Sequence, residues 1–192
     1  MQTGFILAAG GLFCLLVAVM IGWALAAYNR LIRQRNQVQA SWAQIDVQLK
    51  RRYDLVPNLV ETVKGYAAHE RGTLEAVLAA RDGAIAAAAA PGLPARAGAE
   101  DALTQSLGRL FALAEAYPDL KANQNFAVLQ GELARTEDKI AYARQFYNSA
   151  VQTYNTSTQS VPSNLIAGLG GFRPMDYFEA LDGERAAVQV RS

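Results

Sequence analysis

The chain has 192 residues with 18 basic and 17 acidic side chains, so its overall charge does not favour a nucleic-acid-binding protein. It has one cysteine and one histidine, which excludes an intrachain disulfide framework and a di-iron site built from two Glu-x-x-His pairs. Once a long apolar N-terminal stretch is set aside, about 160 residues remain, which suits a single folded domain.

The apolar stretch has the length and composition of a membrane span. No charged side chain occurs before Arg30, and residues 3–27 are mostly apolar. As a helix this stretch would be about 37 Å long, enough to cross a hydrocarbon core of roughly 30 Å. Trp23 and Tyr28 lie near its end, where aromatic side chains favour the headgroup layer. The pattern predicts a transmembrane anchor over residues 1–29.

Charge is distributed unevenly around this predicted anchor. Up to residue 52 there are six basic side chains and one acidic one, a net charge of +5, whereas the remainder has twelve and sixteen, a net charge of −4. Arg30, Arg33 and Arg35 directly follow the apolar stretch. The positive-inside rule therefore predicts a single-pass protein whose folded part lies in the cytoplasm.

A cleaved export signal is the alternative interpretation of the apolar stretch, because Ala24-Leu25-Ala26 resembles a cleavage site. The stretch is longer than the usual core of such a signal, and no positively charged side chain precedes it. Both features favour a retained anchor.

Small residues recur along the predicted span at steps of four or eight, and the candidates for packing are Gly10, Ala18, Gly22 and Ala26. Such residues allow a second transmembrane helix to approach closely, which would support self-association in the bilayer. The alternative is that glycine and alanine are simply common in membrane spans.

Two amphipathic helices are predicted behind the anchor. The first continues the membrane helix, because its apolar residues are spaced by threes, fours and sevens: Leu31, Val38, Trp42, Ile45, Leu49 and Val56. Pro57 is unfavourable inside a helix, so we expect a break near Asp54, which would cap the second helix. The second helix would end in the linker-like stretch 86–94, rich in alanine, proline and glycine.

Two further helices complete the pattern. Glu100 and Asp101 suit the positive N-terminal end of a third helix, which Pro118 would end. Asp119 would cap a fourth helix, whose seam positions alternate three and four residues apart: Phe126, Leu129, Leu133, Thr136, Ile140, Ala143, Tyr147, Ala150 and Tyr154.

No segment shows the alternation of a β-strand, and the connections between the predicted helices are short. We therefore predict an all-α protein whose N-terminal transmembrane helix continues into an antiparallel, up-and-down four-helix bundle. The predicted divisions are an anchor over residues 1–29, a bundle over 30–158 and a C-terminal tail over 159–192.

The tail contains four apolar residues interspersed with glycines, and these are Leu165, Ile166, Leu169 and Phe172. In the predicted bundle the fourth helix ends on the membrane side, so we expect the tail to dock on lipid or on a partner. The alternative is that the tail folds back over the open end of the bundle.

Five blocks of sequence carry a resemblance to a known family: IDVQLKRRYDLVPNLV at 45–60, ETVKGYAAHE at 61–70, YPDLKANQNF at 117–126, ELARTEDKIAYARQFYN at 132–148 and VPSNLIA at 161–167. In this order the blocks resemble the LemA family, a group of bacterial single-pass membrane proteins. The resemblance implies a cytoplasmic-membrane anchor followed by a four-helix bundle, and it implies no reaction mechanism.

Polar residues beside the predicted seams form a candidate interaction face: Asn58, Asn125, Arg144, Tyr147, Asn148, Tyr154 and Asn155. A Tyr-Asn pair occurs twice at an interval of seven residues, which places both pairs on one face of the fourth helix. The alternative is that these groups pair inside the bundle and set its register, because buried polar groups must be satisfied.

No motif indicates catalysis, since the sequence has neither a phosphate-binding G-x-x-x-x-G-K loop nor a nucleophile elbow. Lys50, Arg51 and Arg52 are interpreted as partners of acids such as Asp54, Glu61 or those of a neighbouring helix, and not as a nucleic-acid footprint. We therefore expect no enzyme activity, no cofactor, no metal and no nucleic acid.

The expected function is a non-catalytic scaffold or assembly factor at the bacterial cytoplasmic (inner) membrane. Its bundle would bind other membrane or envelope proteins, or copies of itself as a homo-oligomer, through a helical face. The alternative is a membrane-shaping or envelope-stress module that acts through oligomeric assembly on the lipid bilayer.

Overall fold

The computed structural model describes residues 2–90 and 92–178, and this part of the chain contains six α-helices and no strand. The helices are α1 (Gln2–Lys64), α2 (Arg71–Ala89), α3 (Leu93–Ala114), α4 (Pro118–Lys121), α5 (Gln124–Gln159) and α6 (Ser163–Leu169). The prediction of an all-α protein is confirmed. Residues 179–192 of the predicted tail lie outside the described residues.

The chain divides into two compact units, and α1 and α5 contribute residues to each. The first unit consists of the chain up to Ser41 together with Ser149–Met175. The second unit consists of Trp42–Asn148 together with the segment that begins at Asp176. These units are defined by packing, and the division into anchor, bundle and tail stays a prediction.

The second unit is a four-helix bundle of α1 from Trp42 onward, α2, α3 and the part of α5 that ends at Asn148. Short connections make α2 antiparallel to α1 and α3 antiparallel to α2. Helix α5 is antiparallel to α1, because Trp42 packs on Tyr147 while Arg51, further along α1, pairs with Glu132. The up-and-down arrangement is confirmed.

Apolar side chains from all four helices fill the centre of this bundle. Burial of each one stabilises the fold by about 1.5–3 kcal/mol relative to exposure, so this core provides the main stabilising term. The most deeply buried members are Ile45, Leu49, Val56, Leu59, Val63, Val77, Ala84, Leu103, Leu110 and Ile140.

In the first unit, α1 packs against the last turns of α5. The side-chain amide of Gln34 donates to the Ser157 hydroxyl at 2.9 Å, and Leu31, Val38 and Tyr154 are buried. Large apolar side chains between residues 12 and 25 of α1 are exposed. In the described residues, α1 is the one helix long and apolar enough to cross a membrane, and its apolar window is not buried by the chain itself.

The expected break near Asp54 is wrong, because α1 continues through Pro57 and ends at Lys64. Proline has no N–H to donate to the carbonyl four residues earlier, which is that of Tyr53. Arg81 of α2 supplies the missing donor, since its Nε donates to the Tyr53 carbonyl at 2.9 Å. The tertiary contact thus satisfies the backbone group that made a break the better prediction.

Two other predicted helix ends are also wrong. Helix α3 begins at Leu93, with Pro94 in its first turn, so Glu100 lies in the helix interior and is completely buried. The single-turn helix α4 precedes α5, and Asn123 caps α5 where we expected Asp119. The Asn123 side-chain oxygen accepts the backbone N–H of Phe126 at 3.0 Å, as an N-cap does.

Replacing Arg81 by methionine should lower the free energy of unfolding by about 1–3 kcal/mol, because the Tyr53 carbonyl then has no donor. Adding Pro57→Ala restores an N–H four residues after that carbonyl, so Arg81→Met should have a much smaller effect in the Pro57→Ala background. Urea unfolding of the full chain in detergent, followed by circular dichroism, measures both differences. An equal effect of Arg81→Met in the two backgrounds would show that Arg81 does not compensate for Pro57.

Candidate interaction surfaces

A charged cluster is enclosed by three helices of the second unit. The side chains of Arg52 in α1 and Glu100 in α3 are completely buried and form an ion pair. Arg52 also bonds Glu137 of α5 at 2.6 Å and the Thr104 hydroxyl at 3.1 Å. The Tyr53 hydroxyl donates to the second carboxylate oxygen of Glu100. Arg52 and Glu100 therefore each have more than one partner, as burial of charge requires, although the Nε of Arg52 has none within the described residues.

The electrostatics of this cluster keep its charges in place. Burial by itself would lower the pKa of Arg52, but the carboxylates of Glu137 and Glu100 raise it, so the guanidinium stays charged. Burial, followed by the hydrogen bond to Glu100, raises the pKa of Tyr53 far above its usual range. Both shifts favour the charged guanidinium and the protonated hydroxyl that the bonds to Glu100 require.

A stack of aromatic and guanidinium groups lies in the same unit. Arg96 sits over the Trp42 ring at 4.7 Å, and Arg144 sits over the Phe178 ring at 4.6 Å. Trp42 in turn contacts Tyr147 edge-to-face, with ring centroids 5.3 Å apart, and Phe178 at 5.9 Å. Such contacts contribute about 0.5–2 kcal/mol each, so they fix Phe178 on the bundle.

The three consecutive basic residues of α1 are all paired with acids. Lys50 bonds Asp54 at 2.7 Å, Arg51 bonds Glu132, and Arg52 bonds Glu100. The expected pairing with Asp54 and with acids of neighbouring helices is confirmed, whereas the expectation for Glu61 is wrong, because Glu61 pairs with Lys64.

The polar residues of the predicted interaction face lie in different surroundings. In the second unit, the Tyr147 hydroxyl donates to the Asp176 carbonyl at 2.9 Å. The Asn148 amide donates to the Phe178 carbonyl at 3.0 Å and accepts the Phe178 N–H at 2.8 Å. Arg144 is half-buried on Phe178. These groups bind the C-terminal segment of the chain itself.

The same pairing occurs in the first unit. The Asn155 amide donates to the Met175 carbonyl and accepts the Met175 N–H, both at 2.8 Å, and Tyr154 is buried beside it. Seven residues of helix rise about 10.5 Å, close to the roughly 10 Å spanned by three extended residues. The seven-residue Tyr-Asn repeat therefore suits backbone partners three residues apart.

Asn58 and Asn125 are exposed and are not brought together with the other five residues of this set. The polar groups of Tyr147, Asn148 and Asn155 bond the backbone of the C-terminal segment, and not another helix of the bundle. Binding of another protein by this set stays a prediction.

The four apolar tail residues that we expected to dock on lipid or on a partner also lie in different surroundings. Phe172 is buried, contacts Tyr28 edge-to-face with ring centroids 5.3 Å apart, and lies under Arg35 at 5.5 Å. Leu165 and Leu169 on α6 are exposed, by 64% and 89%, and Ile166 is half-buried. Part of the tail therefore folds back onto α1, and part presents apolar surface.

The candidate transmembrane packing residues Gly10, Ala18, Gly22 and Ala26 are all exposed. A Cβ placed at Gly10 or Gly22 would meet no other atom of the described chain within 4 Å. This surface is open to a second helix or to lipid, and packing between two such helices stays a prediction.

Sequence reasoning missed a groove between α1 and α5 of the second unit. It has a volume of about 420 Å³ and is lined by Gln44, Gln48, Asp138, Lys139, Tyr142, Ala143 and Phe146. Tyr142 and Phe146 are exposed, by 71% and 44%. The available signal was that both aromatic residues lie off the seam through Ile140, Ala143 and Tyr147, where a solvated face favours polar side chains.

No group of three or more His, Cys, Asp or Glu side chains that could hold a metal ion occurs within residues 2–90 and 92–178.

Comparison with known proteins gives both a family and individual relatives. The model of the LemA family matches residues 41–191. Magnetosome protein MamQ 2 of Paramagnetospirillum magneticum is 29% identical over 186 residues, which is 85% of this chain and 68% of that protein. Magnetosome protein MamQ of Magnetospirillum gryphiswaldense is 27% identical over 177 residues, covering 80% and 65%. Protein LemA of Metamycoplasma hominis is 24% identical over 163 residues, covering 84% and 73%.

Replacing Arg52 by methionine should lower the free energy of unfolding by about 3–5 kcal/mol, because it leaves the Glu100 carboxylate buried without its counter-ion. Adding Glu100→Gln removes that stranded charge and should recover at least half of the loss. Lys50→Met is the control, since it breaks an exposed ion pair and should cost less than about 1 kcal/mol. Urea unfolding measures all three variants, and a double variant no more stable than Arg52→Met would contradict the assigned pairing.

Replacing Asn155 by alanine should release the backbone at Met175, because both hydrogen bonds of the amide are lost. The Met175 N–H should then exchange with deuterium roughly 10–30 times faster, as expected for the loss of two bonds of about 1 kcal/mol each. Asn125→Ala on the exposed face of the same helix should leave this rate unchanged. Hydrogen exchange with mass spectrometry checks both variants, and an unchanged rate in Asn155→Ala would refute the tail-fixing role.

Proposed function

This chain belongs to the LemA family, and we propose that it is a non-catalytic scaffold or assembly factor that its first helix anchors in a membrane. In this proposal the bundle presents a helical face to copies of itself or to other membrane and envelope proteins. The observation that carries the proposal is the aromatic groove of the second unit, lined by Tyr142 and Phe146.

The groove has the composition of a protein interface. Tyrosine and phenylalanine are enriched at the centres of interfaces, because a rigid ring buries a large area for little loss of side-chain entropy. Val47, which precedes the groove residue Gln48 in α1, is also an exposed apolar side chain. A partner helix laid in this groove would bury these side chains.

The charges at the groove favour a second copy of this chain as the partner. Asp138 and Lys139 both line the groove, and no ion pair of either is found within the described residues. In a two-fold symmetric contact the same patch meets itself, so Asp138 of each copy can face Lys139 of the other. The two charges at the groove are therefore complementary to themselves in such a contact.

Anchoring by α1 would raise the local concentration of these grooves. Confinement in a bilayer reduces the freedom that two copies lose on association, so a modest groove contact becomes sufficient for assembly. The small residues Gly10, Ala18, Gly22 and Ala26 offer a further contact within the span.

A membrane-shaping or envelope-stress module that acts through assembly on the bilayer is the second candidate. It is favoured by the exposed apolar side chains of Leu165 and Leu169 on α6, which could enter the headgroup layer. Both candidates require assembly, and they differ in whether α6 must contact lipid.

Replacing Tyr142 by glutamate should weaken self-association of the full chain in detergent roughly 30-fold or more, as expected when a central aromatic contact is lost. Val128→Glu is the control, because Val128 is an exposed apolar residue of α5 outside the groove. Sedimentation velocity over a range of protein concentrations measures the dissociation constants. A wild-type chain that stays monomeric at every concentration would contradict the proposed self-assembly.

A charge exchange tests the two-fold contact directly. Asp138→Lys and Lys139→Asp should each weaken self-association, since like charges then face each other across the interface. Mixing the two variants should restore association, because one carries two cations and the other two anions at the groove. Failure of the mixture to associate would exclude the proposed pairing of Asp138 with Lys139.

A further inference from the structure

A second pocket lies in the first unit, where the apolar part of α1 gives way to its arginines. It has a volume of about 520 Å³ and lies between α1, the last turn of α5 and the start of α6. The polar side chains among those that line it are Trp23, Arg30, Arg33, Thr156, Ser157, Ser160 and Ser163. A pocket of this size holds a small polar ligand or a lipid headgroup.

The charge of the first unit is entirely positive within the described residues. Residues 2–41 and 149–175 contain Arg30, Arg33, Arg35 and Arg173 and no aspartate or glutamate, which gives four positive charges against none. Arg35 lies over the Phe172 ring. Arg30 and Arg33, both exposed, line the pocket, so the unit supplies two guanidinium groups without a carboxylate to neutralise them.

The remaining polar groups of the pocket favour a phosphate. Thr156 and Ser160 expose hydroxyl groups beside the two arginines, and hydroxyl and guanidinium groups are good donors to phosphate oxygens. The Ser163 hydroxyl donates to the carbonyls of Ser157 at 2.7 Å and of Ser160 at 2.9 Å. These two bonds fix the turn that closes the pocket.

The position of the pocket identifies the source of the phosphate. One wall begins at Trp23, on the same helix as the exposed apolar side chains of Met20 and Leu25. Tryptophan favours the interface between hydrocarbon and headgroups, and arginines just beyond it attract anionic lipids. A bilayer crossed by α1 would therefore place headgroup phosphates at this level.

We propose that this pocket binds the phosphate-bearing headgroup of an anionic phospholipid, with Arg30 and Arg33 as its charged ligands and Thr156 and Ser160 as hydroxyl donors. The inference rests on the membrane anchoring that belongs to the proposed function. The bound lipid would neutralise the two guanidinium groups and would join the end of α5 to α1 through one shared anion.

Binding of phosphatidylglycerol and of phosphatidylcholine to the full chain in detergent micelles, measured by native mass spectrometry, tests the proposal. The wild-type chain should prefer phosphatidylglycerol, and Arg30→Gln with Arg33→Gln should weaken its binding roughly 30-fold or more. Arg33→Gln alone should weaken it more than Arg173→Gln, which removes the same charge from the same unit outside the pocket. Equal effects of these two single variants would show that lipid binding depends only on the overall positive charge of the unit, and would overturn the proposal.

A substitution without change of charge tests the pocket itself. Ser160→Tyr fills the space between the two walls and should abolish the preference for phosphatidylglycerol. Gln152→Tyr adds the same side chain at an exposed position of α5 in the same unit and should leave the preference unchanged. Retention of the preference in Ser160→Tyr would overturn the proposal.

Two further experiments distinguish a lipid site from a site for free phosphate, and lipid binding from membrane anchoring. Millimolar inorganic phosphate should not displace phosphatidylglycerol, and displacement of the lipid would identify a site for free phosphate and overturn the lipid assignment. Alkaline carbonate extraction tests anchoring separately, and release of the chain from membranes would overturn both the anchored scaffold and this inference. A chain that resists extraction but binds the two lipids equally would overturn the lipid inference alone.

Discussion

Arg52 lies where α1, α3 and α5 of the second unit meet, and its guanidinium needs partners from two of its neighbours at once. Glu100 of α3 and Glu137 of α5 supply them, and Tyr53 occupies the remaining oxygen of Glu100. A shift of one helix by a turn, about 5.4 Å, would leave a charge buried without a partner. Apolar seams tolerate such shifts far better, since one leucine can replace another. The cluster therefore specifies the register of the bundle more than it adds to its stability.

The continuity of α1 also depends on a partner from a distant residue, in this case for a backbone carbonyl. Pro57 removes one donor from the helix, and Arg81 of α2 returns a donor to the orphaned Tyr53 carbonyl. Arg52 thus joins α1 to α3 and α5 through its charge. Tyr53 joins α1 to α2 through its carbonyl and to α3 through its hydroxyl.

The surfaces differ in chemistry between the two units. In the first unit, arginines and hydroxyls surround a pocket at the end of an apolar helix, which suits an anionic headgroup. In the second unit, Tyr142 and Phe146 line a groove that suits another helix. Much of the polar seam of α5 is occupied by the chain's own C-terminal segment. This use of Asn148 and Asn155 leaves the groove, and not the Tyr-Asn repeat, as the better candidate for contact with a partner.

The sequence by itself determined the helical class, the apolar character of the first helix, the seam of α5 and the pairing of Lys50 with Asp54, because each follows from the spacing or charge of neighbouring residues. Only the tertiary structure decided that α1 passes through Pro57, that Glu100 is buried and that Asn123 caps α5. These outcomes depend on donors and acceptors brought from distant positions, such as Arg81 for Tyr53 and Arg52 for Glu100. Local propensity measures what a segment prefers alone, whereas a buried polar group takes the conformation in which a partner from elsewhere reaches it.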